Sequence, residues 1–181
     1  ILFGGPQGDI LKRTGFIPAS HENADRALRS GGVVVVFPGG DYDVYRPSWS
    51  ANNIDFGGRT GYVRAAMNAG VPIVPSVSIG GQENQIYLSR GEWLAKLTRI
   101  DKLIRTKFLP ISFGFPFGFS AVLPVNVPLP SKIVTQVLPP IDIVAEFGED
   151  PDVDAVDVHV RHHMQEALDL LAAERRFPVI G

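Results

Sequence analysis

Cysteine is absent from the 181 residues, which excludes a disulfide framework and thiol chemistry and fits a reducing cytosol. A strong net charge is absent too: the formal balance is −2 at pH 7, so no global field advertises nucleic acid. No Gly-x-Ser-x-Gly nucleophile elbow occurs anywhere. Neither Gly-x-Gly-x-x-Gly nor a P-loop occurs, so nucleotide chemistry has no anchor. The chain opens at Ile1 without Met, a basic n-region or an apolar h-region, and reads as starting mid-protein. No internal repeat is visible. The length suits one domain over residues 1–181, with apolar content ample for one core.

What is present centres on residues 31–43. Four consecutive valines, Val33 to Val36, and Phe37 form a short β-branched apolar run, which predicts a strand buried on both faces. Pro38 stops its hydrogen bonding, and Gly39 and Gly40 allow positive φ or close backbone approach. Asp43 and Arg46 then fall in the loop beyond the strand's carboxyl end, where open α/β sheets bind ligands. A buried strand with an ordinary turn would use the same residues.

Phe37-Pro38-Gly39-Gly40-x-x-Asp43 resembles the glycine-rich third motif of the glycerolipid acyltransferase superfamily, in the Pro-Gly-Gly-x-x-Glu form of its diacylglycerol acyltransferase-like branch and bacterial relatives. Three further stretches resemble that family in the right order. Gly15-Phe16-Ile17-Pro18-Ala19-Ser20 is similar to the second motif. Gly58-Arg59-Thr60-Gly61-Tyr62-Val63-Arg64 is similar to the branch's Arg-Lys-Gly-Phe-Val-Arg segment, and residues 71–80 to the fourth motif. Together they cover roughly residues 15–88.

The resemblance implies a first motif, His-x-x-x-x-Asp, carrying the catalytic base. Residues 1–14 hold no histidine, and His21 to Asp25 has three intervening residues instead of four and follows the second motif. The catalytic segment is therefore expected upstream of Ile1, and this chain alone is expected to be inactive. His21 occupies the place where the family's second motif commonly ends in a phosphate-binding arginine, which argues against lysophosphatidic acid as acceptor. By the same resemblance Phe37, Pro38, Gly39 and Gly40 would floor the site, and Asp43, an Asp where the family has Glu, would hold the acceptor hydroxyls. Tyr42, Tyr45, Arg46 and Trp49 can line a part-apolar pocket or be surface packing. Arg59 is a candidate for CoA phosphates on charge and position.

Elsewhere, residues 60–68 predict a helix with Val63, Ala66 and Met67 on one face and Gly70 at its end. Residues 71–78 predict an apolar strand, so strand, helix and strand would form a βαβ crossover in a largely parallel sheet. Residues 92–108 predict a basic amphipathic helix, with Trp93 on its apolar side and Lys102 and Arg105 among its cations. From Phe108 to Ser131 no residue is charged, and Phe113, Phe115, Phe117 and Phe119 sit among glycines and prolines. The run is long enough to span a bilayer but too rich in Pro and Gly for a regular helix. It predicts an apolar loop lining an acyl groove or dipping into a lipid interface. Residues 133–137 predict a late strand. A last helix follows an Asp150 cap, its buried stripe running from Val153 and Val156 to Leu168 and Leu171. His159, His163 and Glu166 flank that stripe at metal-ligand spacing, but with no fourth ligand they predict a solvated helix flank and no metal.

The expectation is an α/β, glycerolipid acyltransferase-like fold, a mostly parallel sheet flanked by helices on both faces and N-terminally incomplete. The function implied is acyl-CoA-dependent O-acyl transfer to a glycerolipid or similar lipid alcohol at a membrane surface. Acyl-CoA would be co-substrate with no further cofactor, and the protein cytoplasmic and peripherally membrane-associated. A non-catalytic lipid-binding or regulatory module stays open. So does a subunit of a larger assembly held through the Phe-rich run.

Overall fold

The computed structural model describes residues 5–99, 107–121 and 126–175. In chain order the described helices are α1 (Gly5–Arg13), α2 (His21–Arg29), α3 (Gly40–Val44), α4 (Gly61–Ala69), α5 (Glu92–Thr98), α6 (Ile143–Phe147) and α7 (Val153–Glu174). The strands are β1 (Ser76–Ile79), β2 (Ile86–Ser89), β3 (Ile111–Gly114), β4 (Gly118–Ser120) and β5 (Val134–Val137).

The core forms where three elements present short apolar faces to one another. Val63 and Ala66 of α4 meet Val156 and Val160 of α7, with Ile141 and Ile143 closing one side. The α7 stripe expected from the sequence is buried at Val156, Val160, Ala167 and Leu168. A carboxylate sits in this contact as well. Asp157 is buried, and its two oxygens accept from the Tyr62 hydroxyl at 2.8 Å and from Arg161 Nε at 2.7 Å. Burial and that hydrogen bond both push the Tyr62 hydroxyl pKa far above its ordinary value. A buried charge paired twice is tolerated, whereas the same charge unpaired would cost several kcal/mol.

The sheet differs from expectation. Two small antiparallel sheets replace the mostly parallel one: β1 pairs with β5, and β2, β3 and β4 form a meander. The valine run is not a strand. Residues 32–37 adopt no regular secondary structure, and Val33 and Val35 are 93% and 76% exposed. β-branched residues favour an extended backbone, but a strand also needs a neighbour offering N–H and C=O groups. β1 takes β5, and nothing among the described residues pairs with 33–36, so no βαβ crossover forms.

Local signals fared better. Ser20 caps α2, its hydroxyl accepting from the Asn23 N–H at 3.2 Å. Gly70 ends α4 at φ +64°. The last helix starts two residues later than the sequence suggests, on an Asp152 cap. The basic helix expected over 92–108 is shorter: α5 stops at Thr98, where Arg99 takes φ +53°, and residues 100–106, with Lys102 and Arg105, lie outside the described residues. The Phe-rich run, expected as a loop, holds a β-hairpin made of β3 and β4.

Candidate active site

Pro38, Gly39 and Gly40 turn the chain from the valine segment into α3. The carbonyl of Gly39 accepts from the Asp43 N–H at 3.3 Å, drawing the Asp43 side chain back over the turn. A Cβ on Gly39 would lie 2.4 Å from Asp43 Cβ, so no side chain fits there. Gly40 adopts φ +48°, the left-handed region. Asp43 thus lies on a short helix and not in a loop.

Arg59 clamps the turn from outside. Its Nη1 donates to the Gly39 carbonyl at 2.5 Å and its Nη2 to Asp41 at 2.8 Å. The guanidinium proposed for CoA phosphates is therefore already engaged with the glycine turn. Arg46 turns inward: it is 3% exposed, ion-paired to Asp43, and its Nη2 also donates to the Asp55 carbonyl at 3.2 Å. The Asp43 carboxylate stays half-exposed beside it. Burial raises its pKa above the ordinary carboxylate range, against the opposing pull of Arg46.

Groups that no motif announces complete the shell. Gln82 Nε2 donates to the Asp43 carbonyl at 3.0 Å. Arg90 Nε donates to the Tyr42 carbonyl at 2.9 Å, and its guanidinium lies 3.8 Å over the Tyr42 ring. Tyr42 donates to Asp55 at 3.0 Å, and Asp55 also accepts from the Gly57 N–H at 2.9 Å. The Gly57 bond is the main reason the Asp55 pKa falls below its ordinary value. Two buried polar atoms beside Asp43, Arg46 Nε and Gln82 Oε1, have no partner among the described residues. Of the large side chains expected to line a pocket, Tyr45 stacks edge-on against Tyr87 at 5.9 Å, and Trp49 faces solvent. Phe37 is exposed at the rim of the turn.

Histidines stand apart from this cluster. His21 lies against the first residue of α4, its Cε1 3.3 Å from where a Gly61 Cβ would be. Asp25 faces Arg29 through both carboxylate oxygens, at 2.8 and 2.9 Å. On α7, His159 pairs with Glu146 at 3.0 Å, His163 bonds the His159 carbonyl, and Glu166 is 3.3 Å from His162. A groove of about 440 Å³ runs under the β3–β4 hairpin, away from the Asp43 turn. Its lining includes Ile86, Phe113, Phe115, Val127, Leu129 and the buried Asn126.

The family model described as Diacylglycerol acyltransferase matches residues 7–177, nearly the whole chain. The chain belongs to the diacylglycerol acyltransferase family. An uncharacterized protein of Mycobacterium tuberculosis (strain ATCC 25618 / H37Rv) is 31% identical over 173 residues, covering 93% of this chain and 46% of that protein. One from Mycobacterium leprae is 30% identical over 173 residues, covering 93% of this chain and 45% of its own length. The Diacylglycerol O-acyltransferase 2-like protein 6 of Mus musculus is 28% identical over 163 residues, covering 84% of this chain and 47% of the mouse protein. The chain thus spans about half the length of these relatives. No solved structure matches it significantly. The Pro38-Gly39-Gly40 turn with Asp43 folded over it lies within the residues that match the family. No helix among the described residues is long and apolar enough to cross a membrane.

Proposed function

We propose that this chain forms the acceptor-binding part of an acyl-CoA-dependent O-acyltransferase acting on a glycerolipid or similar lipid alcohol. The observation that carries the reading is Asp43, a half-exposed carboxylate fixed at the glycine turn with an unpartnered buried donor and acceptor, Arg46 Nε and Gln82 Oε1, beside it. Buried polar atoms without partners are rare, and next to an open carboxylate they suit a hydroxylated ligand. Asp43 accepts from one acceptor hydroxyl, and Arg46 Nε and Gln82 Oε1, both buried beside it, would meet a second polar group only if the turn opens.

Transfer needs a base that takes the proton from the attacking hydroxyl as its oxygen bonds the thioester carbonyl and the CoA thiolate leaves. None of the four histidines of this chain begins a His-x-x-x-x-Asp sequence. In this reading the base comes from outside the 181 residues. A second reading, a non-catalytic lipid-binding module on the same fold, needs no such base.

The test is release of CoA thiol by the full-length protein given acyl-CoA and diacylglycerol, in wild type and Asp43→Asn. The acyltransferase reading expects turnover and at least a tenfold lower kcat/KM in the variant, equivalent to about 1.4 kcal/mol. Turnover unchanged by Asp43→Asn removes Asp43 from the site. No turnover together with saturable lipid binding selects the module.

A further inference from the structure

We propose that the tip of the β3–β4 hairpin inserts into an anionic lipid surface, docking the protein through Phe115 and Phe117. This goes beyond the acyl-transfer reading and does not depend on it.

The hairpin carries its apolar groups on the outside. Phe115, Phe117 and Phe119 are 77%, 65% and 73% exposed, and Phe113 packs on Phe119 across the strands at 5.1 Å. Single exposed apolar residues are ordinary, but four phenylalanines within seven positions of one hairpin make a patch that needs an occupant.

Backbone bonding says which medium suits it. A segment entering hydrocarbon must satisfy its own N–H and C=O groups. Here the buried Asn126 does so from behind the tip. Its Oδ1 accepts from the Phe117 N–H at 3.2 Å, and its Nδ2 donates to the Gly118 carbonyl at 3.2 Å. The Val127 N–H donates to the Phe115 carbonyl at 2.7 Å, and Pro116 has no N–H to satisfy. Gly114 suits this arrangement, since a Cβ there would lie 3.0 Å from Asn126 Cβ and crowd it.

Charge fits the same occupant. No residue from Phe108 to Ser131 is charged, and exposed Lys107 and Lys132 bracket that interval. An uncharged apolar tip suits hydrocarbon, and Lys107 and Lys132 bound the interval in sequence toward its base, where they would meet anionic headgroups rather than flank the tip. Trp93, also exposed, belongs elsewhere on the hairpin: the residue before its helix, Gly91, abuts Leu109 at the hairpin base, a strand's length from the tip.

The experiment uses the full chain and vesicles of phosphatidylcholine with phosphatidylglycerol, at low and at high salt. Wild type should bind in both, more weakly at high salt. Phe115→Ser with Phe117→Ser should lower high-salt partitioning on the order of 100-fold. Lys107→Glu with Lys132→Glu should remove mainly the salt-sensitive part. Because the double Ser variant could alter the hairpin, Phe115→Trp gives an independent readout: its added emission should shift to the blue and be quenched by lipids brominated in the acyl chain. Quenching absent from Phe115→Trp overturns the proposal. So does self-association in sedimentation, without vesicles, that the Ser variants abolish, because the patch would then join two copies.

Discussion

Arg59 reaches across twenty residues of chain to place its Nη1 2.5 Å from the carbonyl oxygen of Gly39. The bond ties the segment leading into α4 to the turn leading into α3, and Asp41 receives the other nitrogen. A guanidinium so used is a brace for the glycine turn before it is a cation for anything else. Arg59→Ala should therefore lower the thermal midpoint, by about 1–2 kcal/mol of stability, and reduce kcat. Arg59→Lys, with a point charge in place of a fork, should recover only part of either. A large rise in the KM for acyl-CoA at unchanged stability would instead make Arg59 a CoA ligand.

Gly39 has less freedom than its neighbours. Gly39→Ala drives a Cβ to 2.4 Å from Asp43 Cβ, so the carboxylate must move or the turn must open. The expected cost is about 1–3 kcal/mol, with acyl transfer falling further than stability alone explains. Gly58→Ala is the control: nothing lies within 4 Å of its Cβ, and only the strain of φ +72° remains. Thermal melts and kcat/KM for the pair separate crowding of Asp43 from general backbone strain.

Asp43 should also give the reaction an acid limb displaced toward neutrality. Burial disfavours its charged form, so it gains a proton at a higher pH than an ordinary aspartate near 3.9. Acceptor binding should weaken as the pH falls through that raised value, while Asp43→Asn should show no such limb. The KM for the acceptor against pH checks both.

Asp55 works in the opposite sense. Its pKa is depressed, chiefly by the Gly57 N–H, with a further contribution from the Tyr42 hydroxyl. The stability it contributes is present above the unfolded value near 3.9 and is lost as pH falls through its lower folded value. Tyr42→Phe removes one of the two donors while keeping the ring under Arg90 and edge-on to Phe108. Acid unfolding of that variant should begin at a higher pH than wild type, with about 1 kcal/mol less stability at neutrality.

Short-range signals in the sequence translated directly into structure. Ser20 as a cap, Gly70 as a stop and the Val156–Val160–Ala167 stripe each depend on neighbours within a turn or two, and each is where the pattern puts it. Strand pairing was not legible, because β1 meets β5 across more than fifty residues and nothing in either strand names its partner. The valine run shows the limit most clearly: composition favoured an extended backbone but named no neighbour for it. At the candidate site, the conformational demand on Gly39 and Gly40 was legible, whereas Asp43, expected in a loop, lies on α3. Gln82 and Arg90 were not legible, because single polar residues on a 3-10 turn and beyond a strand carry no pattern until the chain brings them to Asp43 and Tyr42. Arg46 was readable as a residue but not in direction, and the short α3 turned it inward.

The exposed valines bear on how this chain can be handled. Residues 32–37 are uncharged, β-prone and free of proline, and Val33, Val35, Val36 and Phe37 are exposed. Such a hexamer is a template onto which another copy can add, strand upon strand, at high concentration. Pro38 closes the stretch on one side, and Arg29 stands just ahead of it, so gatekeepers bound it without interrupting it. These six residues contribute almost nothing to the core, so changing them should alter association more than folding. A single charge written into the middle of them, Val35→Lys, is the economical route to a preparation that stays dispersed.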